Sequence, residues 1–240
     1  MKTVLSPSTP FEISETQLIE LGAKYAQDST GRVWHYCQAG GLTLARGKIN
    51  VAATVNAQRI NLSFATAPAI GDYKVSVTIG TGNATANDYK DGFLVVQDGL
   101  GEGRAYPIEG HDAITASTAG DFLLKEPIDT VSAITVTNVD LIKNLYDDIV
   151  ISVADQIDPV VGVCNVELTD TYYGWVQTYG ACSVWMDETV AAGSAVVLGS
   201  SVGGSVEAFD YNSGEVQLGV MGQQPGVDDE YQLLYLRLEN

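Results

Sequence analysis

The chain has 240 residues and a formal net charge of −18. Its 12 Lys and Arg residues are outnumbered by 30 Asp and Glu residues, so it lacks the clustered cations that neutralise nucleic-acid phosphates. Direct nucleic-acid binding is therefore not expected. A mean hydropathy of +0.07 and 45% hydrophobic residues indicate a folded chain, and the 25 glycines favour strands and turns.

The first 24 residues are predicted to form an extended arm, frayed or docked on a neighbouring molecule. Residues 1–12 contain two prolines, which disfavour helix. The sequence from Ser14 to Gln17 fits a capping box, and the apolar residues after it are compatible with a short helix. We find no secretory signal and no apolar run near the ~20 residues of a membrane span. The expectation is a soluble protein made in the cytoplasm.

Residues 25–155 are predicted to form a β-rich domain. Tyr25 and Val33–Tyr36 flank a turn at Asp28–Gly31, which indicates a hairpin. Residues 138–148 have no clear pattern and fit a helical turn or an irregular connection. The further predicted strands, most of them alternating, are 59–66, 73–79, 93–96, 105–108, 122–124, 134–136 and 149–153.

Residues 156–240 are predicted to form a second, small barrel-like β domain, because residues 155–159 have loop composition. Glycines separate its predicted strands, which are 160–166, 172–177, 183–185, 195–198, 207–209, 216–220 and 233–238. Alternate residues of 172–177 are apolar on both sides, which predicts a strand buried on both faces. The predicted class is all-β, with sandwich or barrel-like domains and at most one or two short helices.

The sequence contains few groups suited to catalysis. Its two histidines, His35 and His111, are predicted on the polar side of a strand and in a glycine-rich loop, and no GxSxG motif accompanies them. Cys37, Cys164 and Cys182 are odd in number and lack CxxC spacing, so neither a disulfide framework nor a zinc site is indicated. Cys164 and Cys182 lie in apolar strand-like segments and are expected to be buried free thiols.

Two short acidic clusters, Asn87–Asp91 and Asp228–Glu230, do not match a calcium-binding loop and are interpreted as solvated turns. The segment Gly99–Arg104 resembles a phosphate loop only superficially, because no Lys-Ser/Thr pair follows, and is predicted to be a hairpin tip. We assign no catalytic, cofactor-binding or metal-binding residue, and we expect no enzymatic activity.

Three ordered motifs resemble tailed-bacteriophage virion structural proteins of the head decoration or cement type. The first is YAQDSTGRVWHY at 25–36, followed by QAGG at 38–41 and LARGK at 44–48. The second is GEGRAYPI at 101–108 with LLKEP at 123–127. The third is YYGWVQTYG at 172–180, followed by VAAG at 190–193, LGV at 218–220 and residues 231–238.

This resemblance implies a structural protein that binds the outside of a phage capsid and stabilises or decorates it. Its partners would be the major capsid protein and further copies of itself, in a trimer, with no membrane contact. One alternative is a carbohydrate- or receptor-binding module of a spike or fibre base, with Trp34, Trp175, Trp185 or exposed tyrosines stacking on sugars. Another is a glycan hydrolase, which needs only two carboxylates.

Overall fold

The computed structural model describes residues 9–27, 29–130, 137–154, 158–210 and 216–239. The regular structure of these residues consists of strands and one short 3-10 helix, Ala57–Arg59, which confirms the predicted all-β class. The strands are β1 (Lys24–Gln27), β2 (Arg32–Gln38), β3 (Ile49–Val51), β4 (Leu62–Phe64), β5 (Lys74–Thr78), β6 (Phe93–Asp98), β7 (Ala105–His111), β8 (Ala119–Leu124), β9 (Asn138–Ile142), β10 (Val150–Ile151), β11 (Val160–Cys164), β12 (Tyr173–Trp185), β13 (Ala195–Leu198), β14 (Val206–Ala208), β15 (Gly219–Met221) and β16 (Tyr231–Arg237).

The chain divides into two compact units. The discontinuous unit comprises Met1–Ala53 and Leu145–Asn240, and the inserted barrel comprises Thr54–Asn144. The domain boundary predicted near residue 155 falls inside the discontinuous unit, where β10 and β11 both pair with β3. Loop composition at 155–159 therefore accompanies a connection between two strands of one sheet. The predicted domains 25–155 and 156–240 do not coincide with the two units.

The discontinuous unit is one curled antiparallel sheet with the strand order β10-β3-β11-β12-β16-β15-β13-β14. The 13-residue strand β12 is its spine, since residues from Tyr173 to Tyr179 pair with β2 and residues from Tyr179 to Trp185 pair with β16. The sequence predicted two strands separated by a turn at Gly180. That prediction is wrong, because Gly180 adopts a φ of 85° without ending the strand.

The first half of β12 is buried on both faces, as predicted. Gly174 and Val176 face an aliphatic cluster that includes Leu168, whose nearest methyl would lie 2.9 Å from a Cβ at position 174. Glycine is thus needed there for space and does not mark a turn. On the opposite face, Trp175 packs with Trp34 in an aromatic cluster.

Residues 9–23 cover this aromatic cluster of their own sheet. Phe11 contacts Trp34 edge-on at 6.2 Å, and the Leu18 N–H donates to the Tyr36 hydroxyl at 3.2 Å. The short helix expected after Ser14 is absent from the described residues. The Ser14 hydroxyl accepts from the Thr16 N–H as a helix cap would, but Ser14 bridges to Tyr173, and Ile19 and Leu21 pack against the aromatic cluster. The described part of the arm therefore docks on its own chain.

The β1–β2 hairpin predicted around Gly31 is confirmed, with Gln27 paired to Arg32 at its end. Elsewhere in the discontinuous unit, the strands predicted at 149–153, 160–166, 195–198, 207–209, 216–220 and 233–238 correspond to β10, β11, β13, β14, β15 and β16, most of them with shifted or shortened ends.

The inserted barrel closes on itself in the order β4-β5-β8-β7-β6-β9. Its interior is filled by alternating residues of these strands, among them Phe64, Val77, Leu94 and Phe122. The predicted strands at 93–96, 105–108 and 122–124 lie within β6, β7 and β8, and the one predicted at 73–79 corresponds to the shorter β5. The predicted strand at 134–136 lies outside the described residues.

The strand that closes the barrel was missed in the sequence. Residues Asn138–Ile142 form β9, which pairs with both β4 and β6, whereas we predicted a helical turn or an irregular connection. Val139 and Leu141 point inward and are buried, so the period-two pattern is present but short. On the neighbouring strand, β4 begins later than predicted, at Leu62, because Asn61 has a φ of 55°.

Candidate interaction surface

His35 is a structural cross-link. Its Nδ1 lies 2.8 Å from the Gly22 carbonyl oxygen and its Nε2 lies 2.5 Å from Glu239 Oε1, while its ring stacks on Tyr146. Thr178 Oγ1 donates to the same Glu239 oxygen at 2.8 Å. Both ring nitrogens thus face acceptors, and the neighbouring hydroxyl is directed at the carboxylate. The His35 imidazole therefore links Glu239 and Gly22 to the sheet.

His111 is buried at the end of β7, where the sequence predicted a loop. Its Nε2 accepts from the Tyr89 backbone N–H at 3.1 Å, and its Nδ1 lies 2.7 Å from the Asp112 carbonyl oxygen. These contacts define a neutral imidazole with the proton on Nδ1. Burial lowers the His111 pKa, against the opposing influence of the Asp112 hydrogen bond and nearby carboxylates. This histidine belongs to the barrel core.

Two carboxylates of the first acidic cluster form ion pairs with lysines. Asp91 is buried and pairs with Lys125 at 2.9 Å, while Asp88 pairs with Lys143 at 3.1 Å. The solvated turn predicted there is therefore wrong for Asp91. Across the described ranges, no group of three or more His, Cys, Asp or Glu side chains is placed to hold a metal ion. The segment at Gly99–Gly103 joins β6 to β7, and the predicted hairpin tip is confirmed.

Cys164 and Cys182 are buried free thiols, as predicted, and so is Cys37. Burial raises the pKa of Cys164 and of Cys182 to about 12 and raises that of Cys37 well above its usual value. A thiolate at neutral pH is therefore strongly disfavoured at all three positions, and none of them fits the electropositive, accessible setting of a reactive cysteine.

Two of the three tryptophans proposed for sugar stacking are in the core. Trp34 and Trp175 are 0% and 2% exposed, so neither presents a ring face to a ligand. Trp185 is partly exposed, but the Lys48 ammonium lies 4.6 Å from the centre of its ring and Tyr231 packs edge-on against it. The structure therefore gives the tryptophan-based sugar site no support.

A different feature stands out on the discontinuous unit, on the side of the sheet opposite the buried Leu234 and Leu236. Residues directly opposed in antiparallel strands share a face, so the pairs Ser183–Leu233 and Ala181–Tyr235 project together. We call this surface the tyrosine face. Its members, from β12, β15 and β16, are Tyr179, Ala181, Ser183, Trp185, Val220, Tyr231, Leu233, Tyr235 and Arg237.

The tyrosine face is apolar and exposed. Tyr179, Tyr231, Leu233 and Tyr235 are each between 43% and 47% exposed. None of its nine positions carries Asp or Glu, although such residues number 30 in the chain. This face was not predicted from the sequence, because its three strands are separated in the chain. Tyr231, Leu233 and Tyr235 occupy alternate positions, but Leu234 and Leu236 are apolar as well, so the pattern of β16 does not reveal an exposed face.

One end of the tyrosine face is built on Gly47. Gly47 has a φ of 68°, and a Cβ there would lie 2.6 Å from the ring of Tyr231. The ring lies over this glycine, and its hydroxyl donates to the Arg46 carbonyl oxygen at 3.1 Å. Burial lowers the Lys48 pKa, and Asp187 and Asp229 act to raise it. Residues 46–48, from the first motif, thus support the face formed by the last strand.

Charges lie only at the two ends of β16. The exposed turn Asp228–Glu230 precedes Tyr231, and exposed Arg237 ends the strand. In the part of the chain that the structure describes, the ion pairs include neither Arg237 nor any of these three acidic side chains. The strand therefore runs from an acidic end through an apolar middle to a basic end.

Comparisons with known proteins identify no relative. No protein-family model matches the chain, no curated protein matches it, and no solved structure matches its fold. Within the described residues, no helix has the length and apolar character needed to cross a membrane.

Proposed function

We propose that this chain is a structural virion protein that binds the outside of a tailed-phage capsid and stabilises or decorates it. The tyrosine face is the observation that carries this proposal. Interfaces are enriched in Tyr, Trp and Arg and depleted in Asp and Glu at their centres, and the face has this composition on a chain with a net charge of −18. An acidic body with one such surface fits a protein that assembles with a partner and stays soluble until then.

The positions of the three resembling motifs agree with an assembly role. The first motif forms β1, β2 and the support beneath Tyr231, and the third begins in β12 and ends in β16. Both therefore build the sheet that carries the tyrosine face. The second motif lies in β7 and β8 of the inserted barrel.

The proposed partners are the major capsid protein and other copies of this chain, on the capsid surface after synthesis in the host cytoplasm. The proposal includes no catalytic step, because the two histidines and three cysteines are held in structural contacts or in the core. Nucleic acid is not a proposed partner, since the chain offers so few cations.

The test uses heads purified without this chain and the full-length protein. We expect the protein to sediment with the heads at a saturating ratio, and mass spectrometry of complete virions should find it at high copy number. As a control, Leu42→Asp changes an exposed leucine outside the tyrosine face and should bind normally. Absence from virions, together with no binding to heads, would reject the proposal.

A further inference from the structure

We infer that the tyrosine face binds the same face of a second copy of this chain, across a two-fold axis that passes near Leu233. Such an interface uses one patch on both subunits, so the patch must be complementary to itself. Pairing of the free chain is a property of this face and does not depend on capsid binding.

The order of charges along β16 provides that self-complementarity. When the two-fold axis lies in the interface at Leu233 and is perpendicular to β16, the two β16 strands run in opposite directions, so residues equally distant from Leu233 meet. Tyr231 then faces Tyr235 of the second copy, and Arg237 faces the turn at Asp228–Glu230. A parallel arrangement would instead place acid against acid and arginine against arginine. Opposite charges at the rim favour the antiparallel encounter and suppress the other one.

The net charge of the chain also favours contact between two copies at the tyrosine face. Two copies that each carry −18 repel one another across most orientations. The tyrosine face contains no carboxylate, so contact at its centre brings no acidic groups together. Its tyrosines also bury large area with little loss of side-chain freedom, since each has only two rotatable side-chain bonds.

The size of the face sets the strength of the contact. Seven residues of β16 span about 23 Å, and three adjacent strands are about 14 Å across, which gives a footprint of roughly 330 Å². A stable interface buries about 800 Å² on each partner. The face is therefore too small for a permanent dimer and is suited to a reversible one that becomes populated as local concentration rises, as on a particle surface.

Sedimentation velocity of the full-length chain over a roughly hundredfold range of concentration tests this pairing. We expect monomer at the lowest concentration and dimer at the highest. Leu233→Asp should weaken dimerisation at least tenfold, which is about 1.4 kcal/mol, because it places two carboxylates at the axis. Leu42→Asp makes the same chemical change at a leucine that is 75% exposed outside the face and should dimerise like the unmodified chain.

A charge exchange tests the direction of the strands. Arg237→Glu should weaken dimerisation, and so should the pair Asp228→Lys with Glu230→Lys. Combining all three substitutions should restore it, because the opposite charges then meet again with their signs exchanged. These side chains are exposed and Asp229, which has a φ of 58°, is left unchanged, so the fold is expected to be retained. Tryptophan emission and circular dichroism check this for each variant.

Several outcomes would overturn the inference. A monomer at every concentration, a trimer, or equal behaviour of Leu233→Asp and Leu42→Asp would each exclude the two-fold contact. A monomeric chain that binds heads only when Leu233 is intact would assign the face to the capsid instead. Dimerisation without head binding would support the pairing while rejecting the proposed function.

Discussion

The inserted barrel and the discontinuous unit solve the problem of strand edges in different ways. In the barrel, β4 and β9 pair with each other, so each of its six strands has a neighbour on both sides. In the discontinuous unit the sheet stays open, with β14 and β10 at its ends, and it carries the tyrosine face. Exposed apolar faces invite partners. The end strand β14 has a neighbour, because Val206 bridges to Met186. We therefore expect a partner of the discontinuous unit to bind the tyrosine face rather than a strand edge.

The largest expected effect is a substitution that lowers the stability of the barrel and leaves that of the discontinuous unit unchanged. Phe122 is fully buried among Tyr89 and His111 in the barrel, and Phe122→Ala should destabilise the barrel by about 3–5 kcal/mol. The three tryptophans all lie in the discontinuous unit, at positions 34, 175 and 185. We expect urea unfolding followed by circular dichroism to gain an early transition, while tryptophan emission keeps its original midpoint.

The cysteines provide a second readout, because Cys37, Cys164 and Cys182 also lie in the discontinuous unit. In Phe122→Ala, these thiols should stay unreactive to a thiol reagent until the tryptophan transition. Simultaneous loss of both signals at the lower urea concentration would show that the units unfold together, and the contrast between them would fail.

A somewhat smaller effect is expected at Glu239 in the discontinuous unit, where Lys24, His35 and Thr178 all contact one carboxylate. Burial is the largest single influence on the Glu239 pKa and raises it, but these hydrogen bonds together bring the pKa below its usual value. Glu239→Gln should lower the free energy of unfolding by about 1.5–3 kcal/mol at pH 7, since hydrogen bonds to a charged group are lost.

The contribution of Glu239 depends on pH in a defined direction. The folded-state pKa lies below the unfolded value near 4.5, so the stabilisation is complete above that pH and is lost as pH falls through the folded pKa. The difference between Glu239→Gln and the unmodified chain should therefore shrink in acid. Glu167→Gln, an exposed position in the same unit, is the control and should change little. An equal loss in both variants would refute the role of the Glu239 contacts.

The next largest effect is expected at Gly47, which lies beneath Tyr231 of the tyrosine face. Gly47 and Gly41 have φ values of 68° and 79°, so alanine is strained at both positions. Only at Gly47 would the added Cβ meet another group, the ring of Tyr231, whereas nothing lies within 4 Å at Gly41. Gly47→Ala should thus cost about 1 kcal/mol more than Gly41→Ala, with a change in Trp185 emission. Equal costs would show that the ring moves away freely.

The sequence predicted individual strands better than their arrangement in the two units. Alternation at Val75 and Val77, or at Phe122 and Leu124, directly reflects strands with one buried face. The spine β12 was divided in two because Gly180 looks like a turn when only local sequence is read. Gly180 instead lies within the strand, where an added Cβ would meet Gly31 and Arg32, and these are tertiary contacts.

Neither the insertion of the barrel into the discontinuous unit nor the tyrosine face could be predicted from the sequence. The inserted barrel begins and ends inside a chain segment that reads as continuous β-rich sequence, so composition alone cannot locate it. The exposed residues of β16 are apolar, and period-two alternation identifies a face only when the other side is polar. His111 was assigned to a loop by its neighbouring glycine, although Gly110 lies within β7.

The smallest expected effect is a pH response of the barrel alone. Burial lowers the His111 pKa, so the unfolded chain binds a proton more readily than the folded one. The barrel should be fully stable above the unfolded pKa near 6.5 and lose stability as pH falls below it. Protonation of Nε2 would also replace the hydrogen bond that it accepts from the Tyr89 N–H with two N–H groups that face each other. Circular dichroism melts between pH 7.5 and 5.5 should show this decline in the barrel transition.

His111→Gln provides the matched comparison, because glutamine keeps an acceptor and a donor but does not titrate in this range. It should lower stability at pH 7.5 and remove the further decline toward pH 5.5. The pH range distinguishes the two units: acid weakens the barrel through His111 as pH falls below about 6.5, whereas the stabilisation of the open sheet by Glu239 is lost only below about pH 4.5. A decline that persists unchanged in His111→Gln would place the titrating group elsewhere and remove this difference between the units.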